Sequence, residues 1–197
     1  MVSVLLETRS VSKNFGTTRA LEGVDFNLRS GETHILFGEN GACKLTLVKV
    51  LSGVYPPDRG TIVLNGEPVQ MASPHDARRR GVATVFQDFS LVPTLNVSDN
   101  LFLGREMTAR GLLDRRAMRA RIDDVFSRLG LDVDPQIRVD RLGRADQQMI
   151  EIAKALIDDV RVLILDEPTA SLTDSEARRL FAVMEQLKRD GCGIVFI

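Results

Sequence analysis

Two stretches of the chain carry residue types whose spacing could do chemistry. The first is Gly38-Glu39-Asn40-Gly41-Ala42-Cys43-Lys44-Leu45-Thr46. It follows the apolar Ile35-Leu36-Phe37 and leads into Leu47-Val48-Lys49-Val50-Leu51, a pattern of strand, glycine-rich turn and helix. Consecutive backbone N–H groups in such a turn make an anion cradle. The helix N-terminus adds partial positive charge. A lysine at the position of Lys44 reaches the outer phosphates of a nucleotide, and a hydroxyl beside it holds Mg²⁺, in the pattern G-x-x-x-x-G-K-[ST]. Gly38 and Lys44 fit. Cys43 stands where the second glycine belongs, and Leu45 where the hydroxyl belongs. The plain alternative is a strand-to-helix turn with a surface lysine, and taken alone the stretch leaves both open.

The second stretch is Val160–Leu165, an unbroken apolar run ending in Asp166-Glu167-Pro168-Thr169. Such a run suits a parallel strand covered on both faces. Two adjacent carboxylates at its C-terminal end are costly to desolvate, and ligands of open α/β sheets bind at that end. A helix start capped by Asp166 fits poorly, because Pro168 follows so closely.

The elements that position these stretches alternate along the chain. Val2–Arg9 and Ala20–Leu28 are β-prone, with Phe15 in a polar loop between them. That ring is either tucked against a small sheet or a platform on which a base stacks. Thr33–Phe37 reads as a strand. Tyr55–Gly60 is a turn cluster. Thr61–Leu64 and Glu67–Gln70 form a hairpin about Asn65-Gly66. Pro74–Arg80 is a short basic helix, and Gly81–Gln87 a strand ending in a lone glutamine, ordinarily polar surface. From 88 to 141 the spacing turns helical, over Val97–Leu103 and Arg115–Leu129, and this block reads as a helical insertion in an α/β domain spanning 1–197. Arg115, Arg116, Arg119, Arg121, Asp123 and Asp124 read as a solvated helix face. Leu142–Gln148 opens a helix through Leu156, Ser171–Asp174 is a turn, Ser175–Asp190 is amphipathic, and Gly193–Ile197 is a last strand.

Composition sets the limits. The 197 residues suffice for one domain with a real core. Charged residues make up 27% and the net charge is −1, so no basic surface argues for nucleic acid. No apolar run approaches the roughly 20 residues of a membrane helix, and Met1–Ser10 does not look like a signal peptide. Two cysteines make no disulfide framework, which leaves a reducing cytoplasm as the default expectation.

In one order the chain carries a phosphate loop, a glutamine, a helical block, a Leu-x-x-x-x-Gln-Gln helix start and an apolar strand ending Asp-Glu-Pro-Thr. That order resembles the nucleotide-binding subunit of ABC transporters over nearly the whole chain, and more specifically the ATP-binding proteins of carbohydrate importers. Gly38–Leu47 is similar to their Gly-Glu-Asn-Gly-Ala-Gly-Lys-Ser-Thr-Leu, Leu101–Glu106 to their helical-domain segment, and Gln147–Leu156 to the helix behind their signature. The resemblance implies a P-loop NTPase fold with a small antiparallel β part. It implies ATP and Mg²⁺ as cofactors. Phe15 would stack on adenine. Gly38, Asn40, Gly41, Ala42, Cys43, Lys44, Leu45 and Thr46 would line the phosphates. Thr46, Gln87 and Asp166 would serve Mg²⁺, with Gln87 contacting the ion or the attacking water and sensing the membrane subunit, and Glu167 would polarise the attacking water. Residues 170–174 would face a second such domain, and the helical block would dock on membrane permease subunits at the cytoplasmic face of the membrane. A periplasmic sugar-binding protein would take part indirectly, with no role for nucleic acid.

Against the family pattern, Cys43 and Leu45 replace a glycine and a serine, and Leu-Ser-x-Gly-Gln becomes Leu142-Gly143-Arg144-Ala145-Asp146. The family's switch histidine is expected just after the last strand, beyond Ile197. Importers of this type often carry two such domains, and this sequence would be the first, cut short. Two readings follow: a transport ATPase with strongly impaired hydrolysis, or a non-hydrolysing relative acting as a binding or regulatory module. A repair or ribosome-associated ATPase is disfavoured, since the chain is not basic and has no long coiled-coil insertion. One geometric expectation is explicit: Val160–Leu165 and Ile35–Phe37 lie side by side in one sheet.

Overall fold

The structure is a computed structural model describing residues 3–38, 41–170 and 172–197, with Gly41 and Ala42 described by backbone only. In chain order the elements are β1 (Val4–Phe15), β2 (Thr18–Arg29), β3 (Thr33–Ile35), α1 (Gly41–Leu51), β4 (Arg59–Leu64), β5 (Glu67–Val69), α2 (Pro74–Arg79) and β6 (Val82–Val85). Then come α3 (Val97–Phe102), β7 (Thr108–Ala109), β8 (Leu112–Leu113), α4 (Arg115–Leu129), α5 (Arg144–Leu156), β9 (Val162–Leu165), α6 (Asp174–Arg189) and β10 (Gly193–Phe196). They fall into two compact units. One comprises Met1–Thr84, Asp158–Glu167 and Leu187–Ile197, the other Val85–Ile157 and Pro168–Gln186.

In the first unit, an antiparallel sheet has the order β2-β1-β4-β5. Residues 11–15, expected in a loop, are paired strand up to Phe15 opposite Thr18. Polar residues that alternate with Val11 hid the strand. Asn65 and Gly66 both take positive φ, 52° and 85°, as a two-residue turn of the Asn-Gly type requires. A second sheet has the order β3-β10-β9-β6. β10 runs parallel to both β3 and β9. The expected adjacency of Ile35–Phe37 and Val160–Leu165 is therefore corrected. The two strands share a sheet, but β10 lies between them. Parallel strands are joined by crossovers, so order along the chain does not fix order in space. All four residues of β9 are fully buried, as its unbroken apolar run requires. β3 stops at Ile35, two residues short of the expected Phe37, and Phe37 is 97% exposed. Leu47, Val48, Val50 and Leu51 of α1 are buried.

In the second unit, α3 is capped by Asn96, whose side chain accepts from the Asp99 N–H at 2.7 Å. α4 is capped by Asp114 and ends at Gly130 in the left-handed conformation. Met118, Ile122, Val125, Phe126 and Leu129 form its buried stripe, at helical spacing. Arg119 and Asp123 pair on the opposite, exposed face. Arg121 departs from the expected solvated face, because its Nε donates to the Ile157 carbonyl at 2.7 Å. The miniature hairpin β7–β8 carries no sequence signal, since its turn places Arg110 at φ 53°, a conformation few side chains favour. Among the described residues no helix is long and apolar enough to cross a membrane.

Candidate functional site

The glycine-rich segment leaves β3 and enters α1 at Gly41, so Gly41, Ala42, Cys43 and Lys44 form the first turn of that helix. The first N–H groups of a helix find no acceptor within it, and such a start can meet an anion. Asn40 lies outside the described residues. Cys43 is exposed and Leu45 half-buried. The Lys44 ammonium donates to the carbonyl of Gly38, six residues back. Thr46 is only 7% exposed.

Asp166 follows β9 directly and is half-buried, while Glu167 is exposed. Burial, and then the negative charge of Glu167, push the Asp166 carboxyl above the usual carboxylate range, while the Lys49 ammonium pulls it back. Lys49 lies on α1 beyond Lys44 and attracted no attention in the sequence, where nothing separates it from a surface lysine. Glu167 adopts φ 45°, a conformation that strains a residue with a Cβ and is found at functional sites. Its N–H donates to the Ile197 carbonyl at 3.2 Å.

Phe15 ends β1 with its ring 42% exposed. It meets Tyr55 edge to face, with ring centroids 5.1 Å apart. Tyr55 was legible only as part of a turn cluster.

Gln87 belongs to the second unit and is exposed just past β6. The segment after it is gripped by α5 at two places. The Arg144 guanidinium stands 5.3 Å over the Phe89 ring. Every polar backbone or side-chain atom of Ser90 is engaged: its N–H donates to Glu151, its hydroxyl to Glu151 Oε2 at 3.1 Å, and its carbonyl and hydroxyl accept from Lys154 at 3.1 and 2.9 Å. Glu151 is 6% exposed. The degenerate signature opens α5 at Arg144, with Gly143 as a cap that supplies no side-chain hydrogen bond. Asp146 in its first turn pairs with Arg179 at 3.9 Å.

This donor set suits a polyphosphate better than a magnesium ion. A helix start, a lysine and open N–H groups are an anion site. For a hard cation, Leu45 offers no side-chain oxygen, Thr46 is buried, and Asp166 is a half-buried carboxylate. Mg²⁺ demands near-octahedral oxygen coordination, and these residues do not complete it.

Comparison with known proteins agrees with the architecture. The ATP-binding cassette of an ABC transporter solved in its ADP conformation superposes with a TM-score of 0.85 at 22% identity, over 98% of this chain and 80% of that one. The structure of cbiO1 from Clostridium perfringens, part of the ABC transporter complex cbiONQ, gives 0.83 at 24% identity, over 99% of this chain and 78% of that one. These likenesses show the fold. Ribose import ATP-binding protein RbsA 1 of Burkholderia thailandensis is 53% identical over 197 residues, all of this chain and 39% of that protein. The protein of the same name from Rubrobacter xylanophilus is 51% identical over 193 residues, 98% of this chain and 39% of its own length. The chain thus spans about two-fifths of these relatives. The family model described as ABC transporter matches residues 21–170. On that match, and on the identity along its whole length, the chain belongs to the ABC transporter family.

Proposed function

We propose that this chain is a nucleotide-binding domain of the ATP-binding subunit of a sugar importer, and that it binds Mg-ATP weakly and hydrolyses it very slowly. The observation that carries the reading is the phosphate loop with Lys44 at the start of α1 together with the carboxylate pair at the end of β9. Identity above 50% to proteins named for ribose import supports a pentose as the cargo.

In this reading the N–H groups at the start of α1, from Gly41 on, and the Lys44 ammonium hold the phosphates, with Gly38 preceding them in the chain. Phe15 carries the base. By the family pattern Thr46 and Asp166 would serve the ion, Gln87 of the second unit would be carried over as a further ligand, and Glu167 would orient the attacking water. When bound, Mg²⁺ supplies charge neutralisation on the phosphates. The chain's own part is to place the phosphates and the water, and here the deficits accumulate. Leu45 withholds a hydroxyl, and Cys43 adds a side chain where backbone must approach phosphate. Gly143 and Ala145 remove a hydroxyl and a glycine from the face offered to a second domain. Catalysis of phosphoryl transfer is mainly positioning and charge stabilisation. Two lost contacts at about 2–3 kcal/mol each slow it by roughly three or four orders of magnitude. The same substitutions favour a second reading, a non-hydrolysing domain that binds and regulates.

The partners are membrane permease subunits and a second nucleotide-binding domain, with a periplasmic sugar-binding protein acting through the permease. The site of action is the cytoplasmic face of the membrane. Within Leu101–Glu106, Leu101 and Phe102 are buried and Leu103 is 49% exposed, so Leu103 and Glu106 are the side chains a permease can meet. Co-purification with a permease, reduced by Leu103→Ser with Glu106→Ala at unchanged stability, is the expected result. Stable isolation with nucleic acid instead contradicts the reading.

A further inference from the structure

The turn after α1, Tyr55-Pro56-Pro57-Asp58-Arg59-Gly60, has no part in the reading above, yet it encloses Phe15. Tyr55 packs on the Phe15 ring at an interplanar angle of 70°. Asp58 fixes the end of β1 twice. One carboxylate oxygen accepts from the Lys13 ammonium and the other from the Asn14 N–H, each at 2.7 Å. The Asp58 N–H in turn donates to the Ser12 carbonyl at 2.9 Å. Lys13, its side chain 12% exposed, stands 5.8 Å over the Phe15 ring. Lys49 stands 5.8 Å over Tyr55. Gly60 has φ +86°, and a Cβ there would sit 2.5 Å from the Arg9 and Ser10 carbonyl oxygens. The turn therefore approaches β1 as only a glycine permits.

Phe15 is 42% exposed, so the ring is not sealed into the core. Its orientation is nevertheless fixed by an aromatic neighbour and by a cation that is itself locked in an ion pair. Lys13 over the ring and Tyr55 packed edge to face against it hold the exposed part of Phe15 in one orientation. We propose that Tyr55 and the Lys13–Asp58 pair are positioning residues that hold the Phe15 ring ready for a purine base. This rests on the nucleotide reading of the site and adds to it the residues that set base recognition apart from phosphate recognition.

The chain has one tyrosine and no tryptophan, so tyrosine emission reports on Tyr55 alone. The test titrates the protein with ATP and, separately, with inorganic tripolyphosphate, which has the phosphates and no base. Affinities for the variants are measured by equilibrium dialysis. ATP is expected to change the emission saturably and tripolyphosphate to leave it unchanged. Tyr55→Ala is expected to weaken ATP by about 2- to 10-fold, the worth of one aromatic pair, with tripolyphosphate affinity unaltered. Tyr55→Phe restores ATP affinity, and Asp58→Asn weakens ATP in the same selective way. If Phe15→Ala lowers the ratio of ATP to tripolyphosphate affinity and Tyr55→Ala does not, the positioning role is overturned. It is also overturned if Tyr55→Ala weakens both ligands equally, because that is general damage to the fold. If Phe15→Ala leaves the ratio unchanged, or ATP never saturates the parent chain, it is the underlying nucleotide reading that fails.

Discussion

Asp166 and Glu167 show what a candidate site residue costs the fold. The Asp166 carboxyl is raised by burial and then by the charge of Glu167, against the help of Lys49. An acid raised in the folded state binds its proton more tightly folded than unfolded. Its ionisation therefore takes nothing from stability below the unfolded value of about 3.9, and stability declines as pH climbs from there through the raised folded value. Asp166→Asn is expected to melt above the parent at pH 7, with the advantage fading as pH falls below the ordinary carboxylate range. Thermal unfolding across pH checks this, and an advantage of equal size at pH 3 and pH 7 counts against it. Glu167 adds a backbone cost, since φ 45° strains a residue other than glycine or asparagine. Glu167→Asn is expected to raise unfolding free energy by about 1 kcal/mol in urea titration, with no gain in turnover. A less stable variant would show that the strain is not released there.

Between elements, α5 grips Ser90 through Glu151 and Lys154. Removing Glu151 leaves the Ser90 N–H without its carboxylate acceptor in a part-buried setting. Glu151→Ala is expected to cost about 2 kcal/mol and to speed hydrogen exchange of the Ser90 amide. Unchanged exchange at Ser90 would contradict the assignment. None of this was visible in the sequence. Glu151 and Lys154 stand there only as members of the helix through Leu156, and their shared partner lies 61 and 64 residues away. What could be read was whatever is local. The Asn65-Gly66 turn, the apolar run of β9 and the stripe on α4 each carry their own signal over a few residues. The place of β10 between β3 and β9, the strand character of residues 11–15 and the bond of Arg121 to Ile157 depend on partners the local pattern does not name.

At the scale of the molecule, the candidate site is legible because its parts recur in a fixed order, even where single positions depart from the pattern. The phosphate loop fails the strict motif at Cys43 and Leu45, and what placed it was the company of Gln87, the α5 start and Asp166-Glu167 along one chain. The fold survives those departures because neither position belongs to the core: Cys43 is exposed and Leu45 half-buried at the start of α1. The central claim is therefore about chemistry within an intact fold, and one measurement addresses it directly. Mg-ATP affinity and turnover are compared between the parent chain and the double variant Cys43→Gly with Leu45→Ser. The account predicts weak binding and negligible turnover in the parent, and an affinity at least about tenfold higher in the variant, equivalent to about 1.4 kcal/mol. Equal affinity in the two proteins, with ordinary turnover in the parent that Glu167→Gln abolishes, would contradict it.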